Sequence, residues 1–359
     1  MLQLHKKRQQ SLASLIPNDI NALLLKDFSN LRYLTGFSGS AGTLLLERKK
    51  ATFLTDFRYQ EQSKLEVGDS AEVIVFQNTS TPTEALFKLL RKKRLKVLGV
   101  EGSLPIELFE QMSKDLKTGL KVVSGLCEGI RKIKDETEID NLKRAFSIAD
   151  KSFAKLLEFI EPGKTELEIT AKLEYLMRLN GSEKLSFDTI VASGDRSACP
   201  HAHPTEKKIE SNRMLKIDFG AVFNGYHSDM TRTVFIGKAD RKFKNIYSIV
   251  RDAQRKAIDA IRPGISCKQI DQIARDHITK KGYGPQFGHG LGHAVGIDVH
   301  EIPSFSQKSK DYLEAGMVLT VEPGIYIPGW GGVRIEDVFV VKSDGVEQLT
   351  KTPNDLLEI

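Results

Sequence analysis

Residues 216–233 read KIDFGAVFNGYHSDMTRT, and this stretch decides the fold of the second part of the chain. Asn224-Gly225 is the strongest short signal for a two-residue hairpin turn, because both residue types accept the positive φ that a type I′ turn demands. With the turn there, Phe223 faces Tyr226, Val222 faces His227 and Gly220 faces Asp229. Side chains alternate between the faces of a strand, so Asp218 shares a face with Gly220 and is a diagonal neighbour of Asp229. Such a diagonal spans roughly 7–8 Å at the backbone, within reach of two converging carboxylates. The hairpin therefore puts two acids on a sheet face where apolar residues would be expected.

The surrounding sequence repeats itself. EPGKTELEI (161–169) resembles RPGISCKQI (262–270), and in each Thr165 or Ser266 is placed to cap a helix. MLKIDFGA (214–221) resembles MVLTVEPGI (317–325): two apolar strands, each reaching an acid two residues before a glycine. TVFIG (233–237) matches DVFVV (337–341). An offset near 100 residues at all three places predicts two similar halves, each of helices followed by an antiparallel hairpin. Two related halves would put a site on the axis between them.

The second half supplies its own acids, Glu322 and Glu336, joined by the loop PGIYIPGWGG, with Arg334 two residues from Glu336 and on the same side of the strand. Between the hairpins lies GPQFGHGLGHAVGIDVHE, carrying His289, His293 and His300. Its glycines disfavour a helix through 288–292, so the segment reads as a loop bringing imidazoles toward a site. Four acids meeting at one point repel, at about 4 kcal/mol per pair for 4 Å and an effective dielectric near 20. Two divalent cations would neutralise them, and oxygen ligands with one imidazole suit Mn²⁺ or Co²⁺, with Zn²⁺ or Fe²⁺ admissible. The alternative is that the acids are solvated strand ends or pair with Arg232 and Arg334.

Farther out, the chain has 359 residues, enough for two domains, with 40% hydrophobic and 28% charged residues, as in soluble globular proteins. No apolar run reaches the roughly 20 residues of a membrane span, and the basic start MLQLHKKRQQSLASLI lacks a continuous apolar core, so neither a membrane span nor a secretory signal is expected. Three scattered cysteines, Cys127, Cys199 and Cys267, imply neither a disulfide framework nor a thiolate cluster, and a cytoplasmic setting is expected. A net charge of +6 without a basic, aromatic-interleaved stripe argues against nucleic-acid binding. In the first part, NALLL, RYLTGF, GTLLLE and ATFLTD (within 21–56) read as strands, helices are expected near 83–93 and 105–117, and VLGVEG and KVVSG read as further strands. A long amphipathic helix is expected from Thr137 to Phe159. The domains divide at about 126–134.

These segments are recognisable together. IDFGAVFNGYHSDMTRT, FGHGLGHAVGIDVHE, LTVEPGIY and GVRIEDVFVV resemble the Xaa-Pro peptidases, Xaa-Pro aminopeptidase (aminopeptidase P) and Xaa-Pro dipeptidase (prolidase), of the methionine-aminopeptidase-like metallopeptidases. RYLTGFSGSAGTLLL and TDFRYQEQ resemble that family's N-terminal domain. The resemblance implies an α+β fold: a creatinase-like α/β domain over residues 1–128, then a pita-bread catalytic domain over 129–359 with pseudo-twofold helix–hairpin halves. It implies five metal ligands, Asp218, Asp229, His293, Glu322 and Glu336, with Asp229 and Glu336 touching both of two divalent ions, Mn²⁺ foremost. Two such ions share a water and lower its pKa, giving a bridging hydroxide that attacks the scissile carbonyl.

By the same resemblance Glu322 is also the proton acceptor, His201 in CPHAH and His300 in VHE meet substrate and assist catalysis, and His289 lines the pocket. Arg334, counted with the substrate-binding residues, would orient carboxylates. His203 reads as a bystander, His227 as packing, and Trp330 as either pocket wall or core cover. The N-terminal pattern looks more like the short bacterial aminopeptidase P type, which removes a first residue ahead of proline. Prolidase, which splits Xaa-Pro dipeptides, is the alternative, and a non-catalytic peptide-binding module on this fold is a third reading. Methionine aminopeptidase fits poorly, because it usually lacks the N-terminal domain. The expected partners are small peptides and a second copy of the chain in a homodimer, with Asp56, Arg58 and Tyr59 candidates for contact with the other subunit.

Overall fold

The computed structural model describes residues 2–77 and 80–359, and the chain divides into two compact units, one ending at Arg131 and the other running from Lys132 to Ile359. In the first unit the short apolar runs become strands β1 (Ala22–Leu25), β2 (Thr43–Glu47), β3 (Ala51–Asp56), β4 (Glu72–Phe76), β5 (Val97–Val100) and β6 (Gly119–Val122). They form one mixed sheet in the order β4-β3-β2-β1-β5-β6. Leu24, Leu45 and Leu98 are buried against Leu86 and Leu90 of the helix Pro82–Lys93 and Met112 of the helix Ile106–Asp115. RYLTGF is not a strand. It completes the helix Phe28–Thr35, because Asp27 caps Asn30 N at 3.0 Å, Leu31 and Leu34 fall on one buried face, and Gly36 ends the turn at φ 78°. A cap and a 3.6-residue period outweigh the β preference of Tyr33 and Thr35.

The second unit opens with the long helix Glu136–Leu157, capped by Asp135 and Glu138 in a reciprocal box. Thr165 and Ser266 cap the helices Glu166–Leu179 and Cys267–Lys280 in the same way, so the two repeated motifs start equivalent helices. The first half then forms β7 (Ile190–Ser193), β8 (Arg213–Phe219), β9 (Val222–Phe223), β10 (Tyr226–His227) and β11 (Met230–Ile236). Asn224 (φ 49°) and Gly225 (φ 80°) make the turn, and the pairs Tyr226↔Phe223, His227↔Val222, Met230↔Phe219 and Thr231↔Asp218 keep one register. Leu215, Ile217 and Phe219 face the two flanking helices, with Phe153 stacked on Phe219 at 5.6 Å between ring centroids. Met214, Lys216 and Asp218 alternate onto the other face.

The second half forms β12 (Gly292–Ala294), β13 (Glu301–Phe305), β14 (Val318–Val321), β15 (Gly324–Ile327), β16 (Gly331–Arg334), β17 (Asp337–Lys342) and β18 (Gly345–Gln348). Its main sheet has the order β13-β12-β14-β17-β18. Leu319 and Val321 pack on Ile246, Val250 and Ala253 of the helix Arg241–Ala260. The pair Leu319↔Phe339 in β14 and β17 answers Leu215↔Val234 in β8 and β11, so each half is helices plus an antiparallel pair.

Side chains of β11 sew the halves together. Thr233 Oγ1 donates to Arg334 O (2.9 Å), Thr231 Oγ1 donates to Glu336 Oε2 (2.7 Å), and the buried Arg232 guanidinium bonds Asp337 Oδ1 at 2.6 Å. Gly220 marks the tightest point of the hairpin: a Cβ there would lie 1.9 Å from Ser228 O and 2.6 Å from Ser186 Cβ. Gly220→Ala is therefore expected to cost about 3 kcal/mol or more, read as a lowered denaturation midpoint with unchanged m-value.

Candidate metal centre

The geometry follows from the two hairpins. Asp218 ends β8, Asp229 precedes β11, Glu322 follows β14 and Glu336 lies between β16 and β17, so each acid leaves a strand end toward one cavity. His293 enters from the short strand β12. The cavity, of about 540 Å³, is lined by all five of these residues together with His201, His289, His300 and Arg334. One ligand atom each from Asp229, His293 and Glu336 lies within 4.8 Å of the others. His293 Nε2 stands 3.6 Å from Asp229 Oδ2 and 3.4 Å from Glu322 Oε1. Asp218 instead accepts a short charge-assisted bond from Arg334.

The electrostatics ask for cations. Four carboxylates share this wall with one guanidinium, which leaves three negative charges uncompensated. Asp218 Oδ1 and Glu336 Oε1 are buried and find no hydrogen-bond partner among the described residues. Burial, then the neighbouring acids, push the Asp229 and Glu336 carboxyls well above the usual range, and burial pushes Glu322 up to about 7. A carboxylate group in this state binds either protons or metal ions. The second source of charge proposed from sequence is settled: Arg232 pairs with Asp337, not with any of the four acids, while Arg334 pairs with Asp218.

His293 is prepared as a neutral ligand. Its Nδ1–H donates to Ala294 O (3.1 Å), leaving Nε2 with its lone pair toward the acids. Burial, then His300, lower its pKa to about 4. The His300 ring stands 4.3 Å away, centroid to centroid.

Behind the acids lies a layer that motif reading did not single out. Tyr326, in β15, donates its hydroxyl proton to His289 Nε2 (3.0 Å) and accepts from Arg334 Nη1 (3.0 Å). His289 Nδ1–H donates to Gly290 O at 2.8 Å, so both ring nitrogens of His289 are engaged. Arg334 Nε donates to Thr231 Oγ1 (3.0 Å), and Thr320 Oγ1 donates to Glu322 Oε1 (3.3 Å). Desolvation opposes the charge on Arg334, but Tyr326 and the acids outweigh it and keep the guanidinium protonated. Tyr326 sits four residues after Glu322; the only hint of it is the even spacing that puts both on one strand face.

Other residues fall as follows. His201 is exposed and borders the cavity, and burial with Arg334 nearby lowers its pKa. His203 borders it too, its carbonyl accepting from Arg196 at 2.6 Å. His227 is buried away from the acids, its backbone N–H donating to Gly296 O. Trp330 covers the core beside Phe243, with Lys242 4.7 Å over its ring, and does not line the carboxylate cavity. Phe187, Ile190 and Phe305 give the cavity its apolar wall.

The model of metallopeptidase family M24 matches residues 140–343, and that of the creatinase/prolidase N-terminal domain matches residues 7–133. The chain belongs to metallopeptidase family M24. Its fold is thus α+β, a creatinase-type N-terminal domain followed by a pita-bread domain, and its chemistry is that of a family built on divalent metal ions. It is 42% identical to an Xaa-Pro dipeptidase of Pyrococcus horikoshii, over 95% of each chain. Among solved structures, an Xaa-Pro dipeptidase from Bacillus anthracis superposes with a TM-score of 0.95 at 40% identity, covering 99% of this chain and 100% of that one. An X-Pro aminopeptidase from Thermotoga maritima gives 0.88 at 36% identity, covering 95% and 98%. Among the described residues no helix is long and apolar enough to cross a membrane.

The raised carboxyl pKa values have a consequence for this M24 protein. Groups with a folded pKa above the unfolded value stabilise through their protonated form. The metal-free protein should therefore be most stable below about pH 4.5 in this respect, and lose that contribution as pH rises through about 7. Glu322 alone accounts for on the order of 3 kcal/mol, with Asp218, Asp229, Glu336, His293 and Arg334 as its charged or titratable neighbours. Saturating divalent cation should flatten the slope, read from denaturation midpoints across pH 5–8 with and without chelator.

Proposed function

We propose that the protein is an Xaa-Pro dipeptidase, a metallo-exopeptidase that splits dipeptides ending in proline. The observation that carries it is the convergence of four carboxylates and one neutral imidazole on a cavity with one apolar wall. The dipeptidase names of the relatives from Pyrococcus horikoshii and Bacillus anthracis favour it over aminopeptidase P, the reading preferred from the N-terminal motif. The Thermotoga maritima likeness keeps the aminopeptidase as the second reading.

Asp218, Asp229, His293, Glu322 and Glu336 would hold two divalent ions, Mn²⁺ or Co²⁺ best matching so oxygen-rich a set, with Zn²⁺ or Fe²⁺ admissible. Bound there, such ions supply Lewis acidity and a water acidic enough to react near neutral pH. Glu322, its carboxyl poised near 7, is suited to hold the proton that the water loses. His201 and His300 stand at the cavity edge, where each can donate to the oxygen of the scissile bond. Proline has no amide N–H to offer, so recognition of its ring falls to the apolar wall of Phe187, Ile190 and Phe305. His289 and Tyr326 act more remotely, holding Arg334 and through it Asp218. A cytoplasmic setting accords with three free cysteines, and peptides are the expected partners. A homodimer is also proposed, with Asp56, Arg58 and Tyr59 at the contact and Phe28 and Phe57 of the first unit exposed; light scattering at micromolar concentration showing monomer alone would reject it.

The decisive assay supplies the Mn²⁺-reconstituted enzyme with an Xaa-Pro dipeptide and an Xaa-Pro-Xaa tripeptide. The dipeptide should be cleaved at least tenfold faster. Cleavage of the tripeptide alone would establish aminopeptidase P instead, and cleavage of neither with two ions bound would leave a peptide-binding module. Asp229→Asn and Glu336→Gln should each lower kcat/KM by about 10³ or more and reduce bound metal, measured by elemental analysis.

A further inference from the structure

Strand β8 contains a residue that a sheet interior has no ordinary use for. Lys216 is fully buried, between Met214 and Asp218 on the strand face that leads to the metal cavity. Burying an ammonium costs several kcal/mol unless its hydrogen bonds are replaced, and a leucine or methionine at this position would avoid that cost. The replacements are present. Lys216 Nζ donates to Ser197 O (3.1 Å), Cys199 O (2.5 Å) and Pro200 O (3.1 Å). A lysine ammonium has three N–H donors and no acceptor, so three carbonyls use it completely.

Those carbonyls belong to the turn that ends the short 3₁₀ helix Gly194–Ala198 and delivers His201 to the cavity edge. Pro200 O, on the peptide bond leading into His201, also receives Arg334 Nη1 at 3.3 Å. The same turn is tied at Ser197, whose Oγ accepts from Gly332 N at 2.8 Å. The turn is therefore held from below by two cations, one on Asp218's own strand and one bonded to Asp218. The Tyr326 ring, 5.3 Å from Nζ, closes the remaining side. Without the ammonium three inward carbonyls would lose their donor, and the turn would have to swing outward to reach water.

We propose that Lys216 is a positioning residue for the peptidase reaction: by gathering the carbonyls of Ser197, Cys199 and Pro200 it fixes where His201 stands relative to the metal ligands. This rests on His201 meeting substrate, as proposed above. Misplacement of such a group by about 1 Å is enough to cost on the order of 10²-fold in rate.

The test is a double-mutant cycle on the metal-loaded enzyme with an Xaa-Pro dipeptide. Lys216→Met should lower kcat/KM by about 10- to 100-fold, mainly through kcat, with bound metal unchanged. In a His201→Ala background the same substitution should cost less than threefold. An equal loss in both backgrounds, or no loss in either, overturns the proposal. Should Lys216→Met not fold, Lys216→Arg takes its place, since a planar guanidinium keeps the charge but cannot reach three carbonyls arranged around a point. A second readout is independent of turnover: in zinc-loaded protein, the ring resonances of His201, assigned by their loss in His201→Ala, should shift in the Lys216 variant while those of His277 do not. An unmoved His201 signal overturns the proposal. Full activity of His201→Ala would refute the role given to His201 in the reaction, and the resonance would still decide what Lys216 holds in place.

Discussion

Like charges in a water-poor cavity cannot rest unpaired, and this constraint organises the catalytic unit. Asp218, Asp229, Glu322 and Glu336 come from four strand ends, and one arginine answers them. Without cations they must bind protons, and the upward displacement of three of the four carboxyls expresses that. The centre is thus a place where folding spends stability in exchange for affinity toward divalent ions, as strained polar clusters at functional sites commonly do.

What holds the acids in place against this repulsion is a polar layer with few loose ends. Thr231 and Thr320 each hydrogen-bond an acid, His289 and Tyr326 fix Arg334, and Arg334 fixes Asp218. The Arg232–Asp337 pair locks the two halves just beyond the centre, with Thr352 O and Pro353 O taking further guanidinium donors. Because each half brings two of the four acids, the centre exists only when both halves are folded and in register. Metal affinity and tertiary stability of the second unit are accordingly linked.

Much of this was legible in the linear chain. Asn224-Gly225 has few alternatives to a tight hairpin, and a tight hairpin sets the register by which Asp218 and Asp229 share a face. Thr165 and Ser266 announced two equivalent helices through capping, which is local chemistry. Where local signals conflicted, the reading failed: in RYLTGF the β-prone Tyr33 and Thr35 lie in a helix whose cap, Asp27, stands outside the motif. Side chains that act through distant partners were harder still. Nothing near Tyr326 in sequence reports His289, and nothing near Lys216 reports the turn at 197–200, because those contacts span 37 residues and 16 to 19 residues of chain.

The order of residues alone thus determined the strand faces, the turn, the helix starts, the internal repeat and the kinds of ligand on offer, since each depends on neighbours a few positions apart. Only the tertiary structure decided that Asp218 is held by Arg334 while Asp229, His293 and Glu336 cluster, that His289 is committed at both nitrogens, and that a buried lysine supports the His201 turn. Those outcomes depend on distances between groups far apart in the chain, and on the loss of water around them, neither of which a local pattern contains.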